Sequence, residues 1–288
     1  MTLQAHLIAE PEVTLWGLSS RERLRRMLTR EGINELIDDL ESAPADHPVL
    51  LIRGDWLYDA RVLKGLIETP CTVLTTGDTA TAVAANVPRS KAAEARNCLE
   101  GAKAADLPEG LTTVDPKTVV ATEQTTLLKR EDPYVLPITH ANQSTLEKRL
   151  FDGSYKGITD LVTKWAWPTP ARWVTQVCAT AGISPNQVTG MSWLLALLAT
   201  FLFFQGHFAW GLMVGWIMTF LDTVDGKLAR VTVSYTQFGN LFDHVLDLLH
   251  PPFWYLAWAV GLTQSGMELL GFSLTTTAWL LVAGYILG

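Results

Sequence analysis

The sequence predicts two parts that fold in different solvents: a small cytoplasmic α/β domain over residues 1–140, and an α-helical integral-membrane domain over 185–288. Three observations carry this reading. Charged and apolar residues are mixed up to about residue 150, whereas Leu, Phe, Trp, Ala and Val dominate beyond 185. Short β-type runs alternate with helical spacing in the first part, as in α/β domains. Four apolar segments crowd the second part, and each reaches or approaches the ~20 residues needed to cross a hydrocarbon core.

In the first part, residues 19–37 show helical spacing rich in Arg and Leu. Pro48 to Arg53 reads as a short buried strand, followed by a turn at Gly54 and Asp55. Residues 60–67 are helical in pattern, 71–75 form a second strand ended by Gly77 and Asp78, and 90–103 are helical again. Residues 141–184 are expected to be a linker. Within it, 158–167 places Ile158, Leu161, Val162, Trp165 and Ala166 on one side of a helix that suits a membrane interface, with Pro168 and Pro170 ending it.

The expected spans are 188–204, 208–221, 241–262 and 272–288. Lys227 and Arg230 fall between the second and third, and the positive-inside rule then puts that loop in the cytoplasm. The N-terminus lacks a basic start followed by an apolar run, so no signal peptide is read there. The net charge of -7 argues against nucleic acid as a partner. Cys71, Cys98 and Cys178 are too scattered for a disulfide framework or a thiolate metal site.

The chemistry is concentrated in one stretch. Asp222 and Asp225 are three residues apart, and Asp243 and Asp247 four apart, so each pair shares a helical face. Carboxylates at membrane depth are costly unless paired, hydrated or bound to a cation. Two facing helices would converge all four on one point, where a hard divalent ion with oxygen ligands, Mg²⁺ above all, relieves their repulsion. Gly226 leaves room for a nucleotide to approach the backbone, Ala229 keeps the groove open, Arg230 offers a fork for phosphate oxygens, and Gly239 clears the opposing helix.

This arrangement resembles the signature of the CDP-alcohol phosphotransferase family, D-x2-D-G-x2-A-R-x8-G-x3-D-x3-D, and every fixed position of it is filled. Ser184, Pro185, Asn186 and Thr189 resemble the family's Pro-Asn-x-x-Thr opening of the first span. The resemblance implies attack by an alcohol on the β-phosphate of a CDP-linked alcohol or lipid, with release of CMP. It implies two Mg²⁺ or Mn²⁺ ions held by Asp222, Asp225 and Asp243, with Asp247 as general base and contact to the second ion. Gly226, Ala229, Arg230 and Gly239 would line the CDP pocket, with Asn186, Thr189 and Thr236 beside them. Lys156, Lys164 and Arg172 are candidates for an acceptor phosphate, and equally for interfacial anchors. The family has about six spans and four are legible, so the chain is expected to stop short of the family's C-terminal end, at the cost of part of the wall and of homodimer contacts.

Residues 50–59, with Asp55, are similar to the central strand and metal-binding Asp of sugar-phosphate nucleotidyltransferases. Some archaeal inositol-phosphate members of the phosphotransferase family carry such a domain. The Gly-rich loop that wraps a triphosphate is missing, so a degenerate, non-catalytic domain is expected. Three alternatives stay open at this point: an enzyme with two soluble substrates of the inositol-phosphate type, a divalent-cation transporter, and an inactive membrane binding protein.

Overall fold

A computed structural model of the chain describes residues 3–42, 44, 47–77, 80–101, 107–120, 123–124, 129–155, 161–264 and 273–287. Asp78, Ala102, Lys103, Lys156, Ile158, Phe272 and Gly288 lie outside the described residues. The chain divides into two compact units, Met1–Thr159 and Asp160–Gly288.

The first unit contains β1 (Gln4–Ile8), α1 (Ser20–Arg30), β2 (Leu36–Ile37), β3 (Pro48–Arg53), β4 (Trp56–Tyr58), α2 (Ala60–Glu68), β5 (Thr72–Thr76), β6 (Thr81–Pro88), α3 (Ala92–Gly101), β7 (Thr112–Val114), α4 (Pro116–Val119), β8 (Glu123–Gln124), β9 (Lys129–Arg130), β10 (Val135–Pro137) and α5 (Gln143–Gly153). Its main sheet runs β2-β1-β3-β6-β5-β7. The β1–β2, β1–β3 and β5–β7 pairs are parallel, and β6 runs antiparallel to both β3 and β5.

The central strand β3 is apolar on both faces because both are covered. Leu50 and Ile52 pack with Leu24, Leu28, Leu63 and Leu66 from α1 and α2. Val49 and Leu51 face the other way, onto Ala92, Ala95 and Leu99 of α3. Strands β1 and β6 escape the sequence pattern, since neither alternates cleanly. The expected helix over 19–37 stops at Arg30, because Gly32 takes a left-handed φ of 86° and the chain turns into β2. The linker also begins later than residue 141. Helix α5 is part of the first unit: Leu146 is buried beside Val13, Leu15 and Leu57, and the Trp16 indole N–H donates to the Glu147 carbonyl.

The second unit contains α6 (Leu161–Trp165), α7 (Pro168–Thr180), α8 (Pro185–Phe204), α9 (Phe208–Val231), α10 (Gln237–Gln264) and α11 (Leu274–Leu287). Helix α6 stops at Trp165, ahead of Pro168 and Pro170 as expected, and the two prolines also open α7, whose first turn needs no N–H from them. Helix α8 starts on a reciprocal cap between Ser184 and Gln187, with Pro185 in its first turn. The four apolar segments do fall in four helices, α8 to α11, of which α11 has 14 residues. Among the described residues, α8 is the helix that is by itself long and apolar enough to cross a membrane, at a mean hydropathy of 1.7.

The expected loop after residue 221 is also corrected. Helix α9 continues to Val231, so Lys227 and Arg230 are helical and Lys227 is buried. Polar residues at 222–230 mask a helical run whose cap comes later. That cap leaves Val233 at a left-handed φ of 51°, while the Ser234 N–H bonds back to the Ala229 carbonyl.

Helix α8 packs against both α9 and α10. One close approach is at Gly261 of α10, where an added Cβ would lie 2.1 Å from the Phe203 carbonyl oxygen. Backbone there cannot yield as a flexible side chain could. Gly261→Val is therefore expected to force the helices apart, at a cost of about 1–3 kcal/mol. A lowered thermal midpoint of the detergent-solubilised chain would show it, and an unchanged midpoint would contradict the packing.

Candidate metal centre

Helix α9 carries Asp222 and Asp225 one turn apart, and α10 brings Asp243 opposite them. One carboxylate oxygen from each of the three lies within 4.8 Å of the others. Asp225 is buried at 4% exposure, and Asp222 is only partly exposed. Asp222 Oδ1 and Asp243 Oδ1 are themselves shut off from solvent and have no hydrogen-bond partner among the described residues.

Two unit negative charges about 4 Å apart repel by ~4 kcal/mol at an effective dielectric of about 20. Three such groups, two with orphaned oxygens, form an all-oxygen donor set that suits a hard divalent cation. The residues present therefore fit the ion that the signature implies.

Asp247 is not in that trio. It joins a second group with Asp243 and His244, whose donor atoms also lie within 4.8 Å of one another, and both His244 and Asp247 are exposed. The two groups share Asp243. The sequence reading missed His244, although its place three residues before Asp247 on one helical face was a legible signal.

Helix α8 supplies the support. Thr189, 3% exposed, donates its hydroxyl to Asp225 Oδ2 at 2.5 Å. The same hydroxyl lies 3.1 Å from the Pro185 carbonyl, but one O–H has one proton, and the carboxylate is the stronger acceptor. The Trp193 indole donates to the Phe242 carbonyl, one residue before Asp243, at 3.4 Å.

Of the other expected residues, Arg230 folds back along α9 and donates to the Gly226 carbonyl at 3.2 Å. Ala229 is buried. Gly239 serves a different neighbour from the one expected. An added Cβ would sit 2.7 Å from Asn186 Oδ1 and 3.0 Å from Thr236 Oγ1, so its bare face is filled by the start of α8. Thr236 Oγ1 accepts the Gly239 N–H at 3.0 Å and caps the start of α10. Lys164 is exposed on α6 with its ammonium 5.7 Å from the Trp165 ring, and Arg172 is partly exposed on α7. Neither belongs to either acidic group.

The CDP-alcohol phosphatidyltransferase family model matches residues 182–287, from just before α8 to the end of α11. The C-terminal helices α8 to α11 are thus similar to a CDP-alcohol phosphatidyltransferase domain. A curated relative, archaetidylinositol phosphate synthase of Pyrococcus horikoshii, is 36% identical over 81 residues. That stretch is 28% of this chain and 43% of the relative, so the match spans less than half of the relative's length. All four signature aspartates lie on α9 and α10, inside the matched segment.

Thr189→Val keeps the side-chain volume but removes the donor to a buried carboxylate. Its expected cost is about 1.5–3 kcal/mol. Thr189→Ser, which keeps the hydroxyl, should cost clearly less. Thermal midpoints of the two variants test the bond, and equal losses would mean that the methyl group, not the hydroxyl, matters.

Proposed function

We propose that this chain is an integral-membrane, divalent-metal-dependent CDP-alcohol phosphotransferase. The observation that carries the reading is the meeting of Asp222, Asp225 and Asp243 from two helices within 4.8 Å, inside a segment that matches the family. The exposed apolar side chains of the helical unit, among them Leu194, Leu197, Phe201, Leu212, Trp216 and Leu280, support a multi-pass membrane setting. We take the first unit and the carboxylates to face the cytoplasm.

In this reading an acceptor hydroxyl oxygen forms a bond to the β-phosphorus of the CDP-linked donor. The bond from that phosphorus to the bridging oxygen breaks, and CMP leaves with the bonding electrons. Asp247, exposed and one turn beyond Asp243, takes the acceptor's proton. Asp222, Asp225 and Asp243 would hold Mg²⁺ or Mn²⁺, and Asp247 would contact a second ion. The chemistry such ions would supply, when bound, is neutralisation of the pyrophosphate and of the charge that develops on it.

Arg230, Gly226 and Ala229 form the nucleotide side of the cleft, with Asn186, Gly239 and Thr236 at its rim. Thr189 acts through Asp225. The relative's name favours a lipid-linked donor and an inositol-phosphate-like acceptor, for whose phosphate Lys164 and Arg172 are the available cations. The first unit has no active site of its own in this reading. Asp55, its one signature carboxylate, is clamped by Arg53 through contacts of 3.0 and 2.6 Å.

Asp247→Asn keeps the size of the side chain but cannot take a proton at neutral pH. It is expected to abolish CMP release while CDP affinity with Mg²⁺ stays within about tenfold, or ~1.4 kcal/mol. Asp222→Asn should lose both, because it weakens the ion that holds the pyrophosphate. Radiolabelled CDP-diacylglycerol, tested against glycerol phosphate, inositol phosphate, inositol and serine, reads turnover, and CDP titration reads binding. Turnover by Asp247→Asn near the parent level would remove Asp247 as the base.

A further inference from the structure

Helix α10 runs unbroken from Gln237 to Gln264 with Pro251 and Pro252 inside it. A proline has no N–H, so Pro251 cannot close the helical bond to the residue four positions earlier. That residue is Asp247. Pro252 removes the next donor along, so neither residue at the i+4 or i+5 position has a proton to give the Asp247 carbonyl. The ladder of α10 is thus interrupted at the last aspartate of the signature, while Asp243, one turn earlier, keeps its helical donor in Asp247 itself. Prolines inside a helix also kink it, which makes the orientation of this turn depend on its neighbours.

The neighbour is α11. Ala278 and Val282 are buried at i, i+4 spacing, and Tyr285, three residues further on, continues the same face. The Tyr285 hydroxyl donates to the Asp247 carbonyl oxygen across 3.4 Å. Its ring meets Tyr255 of α10 edge-on, with centroids 6.3 Å apart. Tyr285 therefore touches α10 on both sides of the proline pair, through its hydroxyl before the break and through its ring after it.

We infer that Tyr285 is a positioning residue for Asp247: its hydroxyl replaces the backbone donor that Pro251 deletes and so sets how the Asp247 carboxylate is presented to the cleft. The inference rests on the metal-site reading above, in which Asp247 supplies an oxygen to a bound divalent cation. It assigns the C-terminal helix a part in the site, 38 residues along the chain from the aspartate it steadies.

The test uses the full chain in detergent and Mn²⁺ alone as the probe, with bound ion followed by electron paramagnetic resonance. Tyr285→Phe keeps the ring on Tyr255 and removes only the hydroxyl. It is expected to weaken Mn²⁺ binding about fivefold with an unchanged thermal midpoint, a coupling typical of residues in direct contact. Pro251→Ala restores the missing N–H, so Tyr285→Phe added to it should have no further effect. Added to Asp247→Asn it should again do nothing, because the group being positioned is gone. A change of less than about twofold in the parent, or an effect that persists in either background, overturns the inference. If Pro251→Ala does not fold, the Asp247→Asn background decides alone. A parent chain that binds no Mn²⁺ would sink the metal-site reading itself, and this inference with it.

Discussion

Asp222, Asp225 and Asp243 repel one another, yet the two helices that carry them hold their oxygens within 4.8 Å. Helix α8 makes this possible, because it packs against both α9 and α10 and bonds to each near the carboxylates. Thr189 holds Asp225 on one side, and Trp193 holds the backbone beside Asp243 on the other. The apolar close contacts further along α8, around Phe203 and Gly261, keep the three helices in that relation. Packing away from the site thus sustains a cluster of charge that would otherwise open the fold.

A cluster held under such repulsion is pre-organised for a cation, since no carboxylate has to move to meet it. The same arrangement explains the order of the signature along the chain. The α9 aspartates sit beside Gly226 and Arg230, where a pyrophosphate would lie. Asp247 sits on the exposed end of the opposing group, where an acceptor would enter. In the proposed reading, the proline pair and Tyr285 act on the one aspartate whose role depends most on direction.

Much of the site was legible because its residues are close in sequence and their spacing is helical. The spacings of Asp222 with Asp225 and of Asp243 with Asp247 placed each pair on one helical face, but not the separation of Asp247 into a second group with His244. What was not legible depends on partners far along the chain. Gly239 looked like space for a ligand, and only the fold shows Asn186 filling it. Pro168 and Pro170 follow the end of α6 as expected, but that they also open α7 was hidden, because a proline reads the same at the start of a helix as after one. The extent of α9 was hidden by charged residues that a span-based reading takes for a loop. In the first unit, β3 announced itself by an unbroken apolar run, whereas β1 and β6 mix Gln4, His6, Thr81 and Asn86 into their strands and α5 is held by Trp16, more than a hundred residues away. Length and alternation carry no information about such pairings.

The carboxylates of α9 and α10 are proposed to form a divalent-cation site. The direct measurement is the thermal midpoint of the full chain in detergent, followed as Mg²⁺ is raised from a chelated solution. An ion that binds the folded chain raises the midpoint with concentration, as linkage requires. Such a rise is expected for the parent, and its loss when Asp222, Asp225 and Asp243 are all changed to Asn, a variant that should also be more stable than the parent in chelator because the repulsion is gone. A parent midpoint that is flat in Mg²⁺, or a rise that survives the triple substitution, would contradict it.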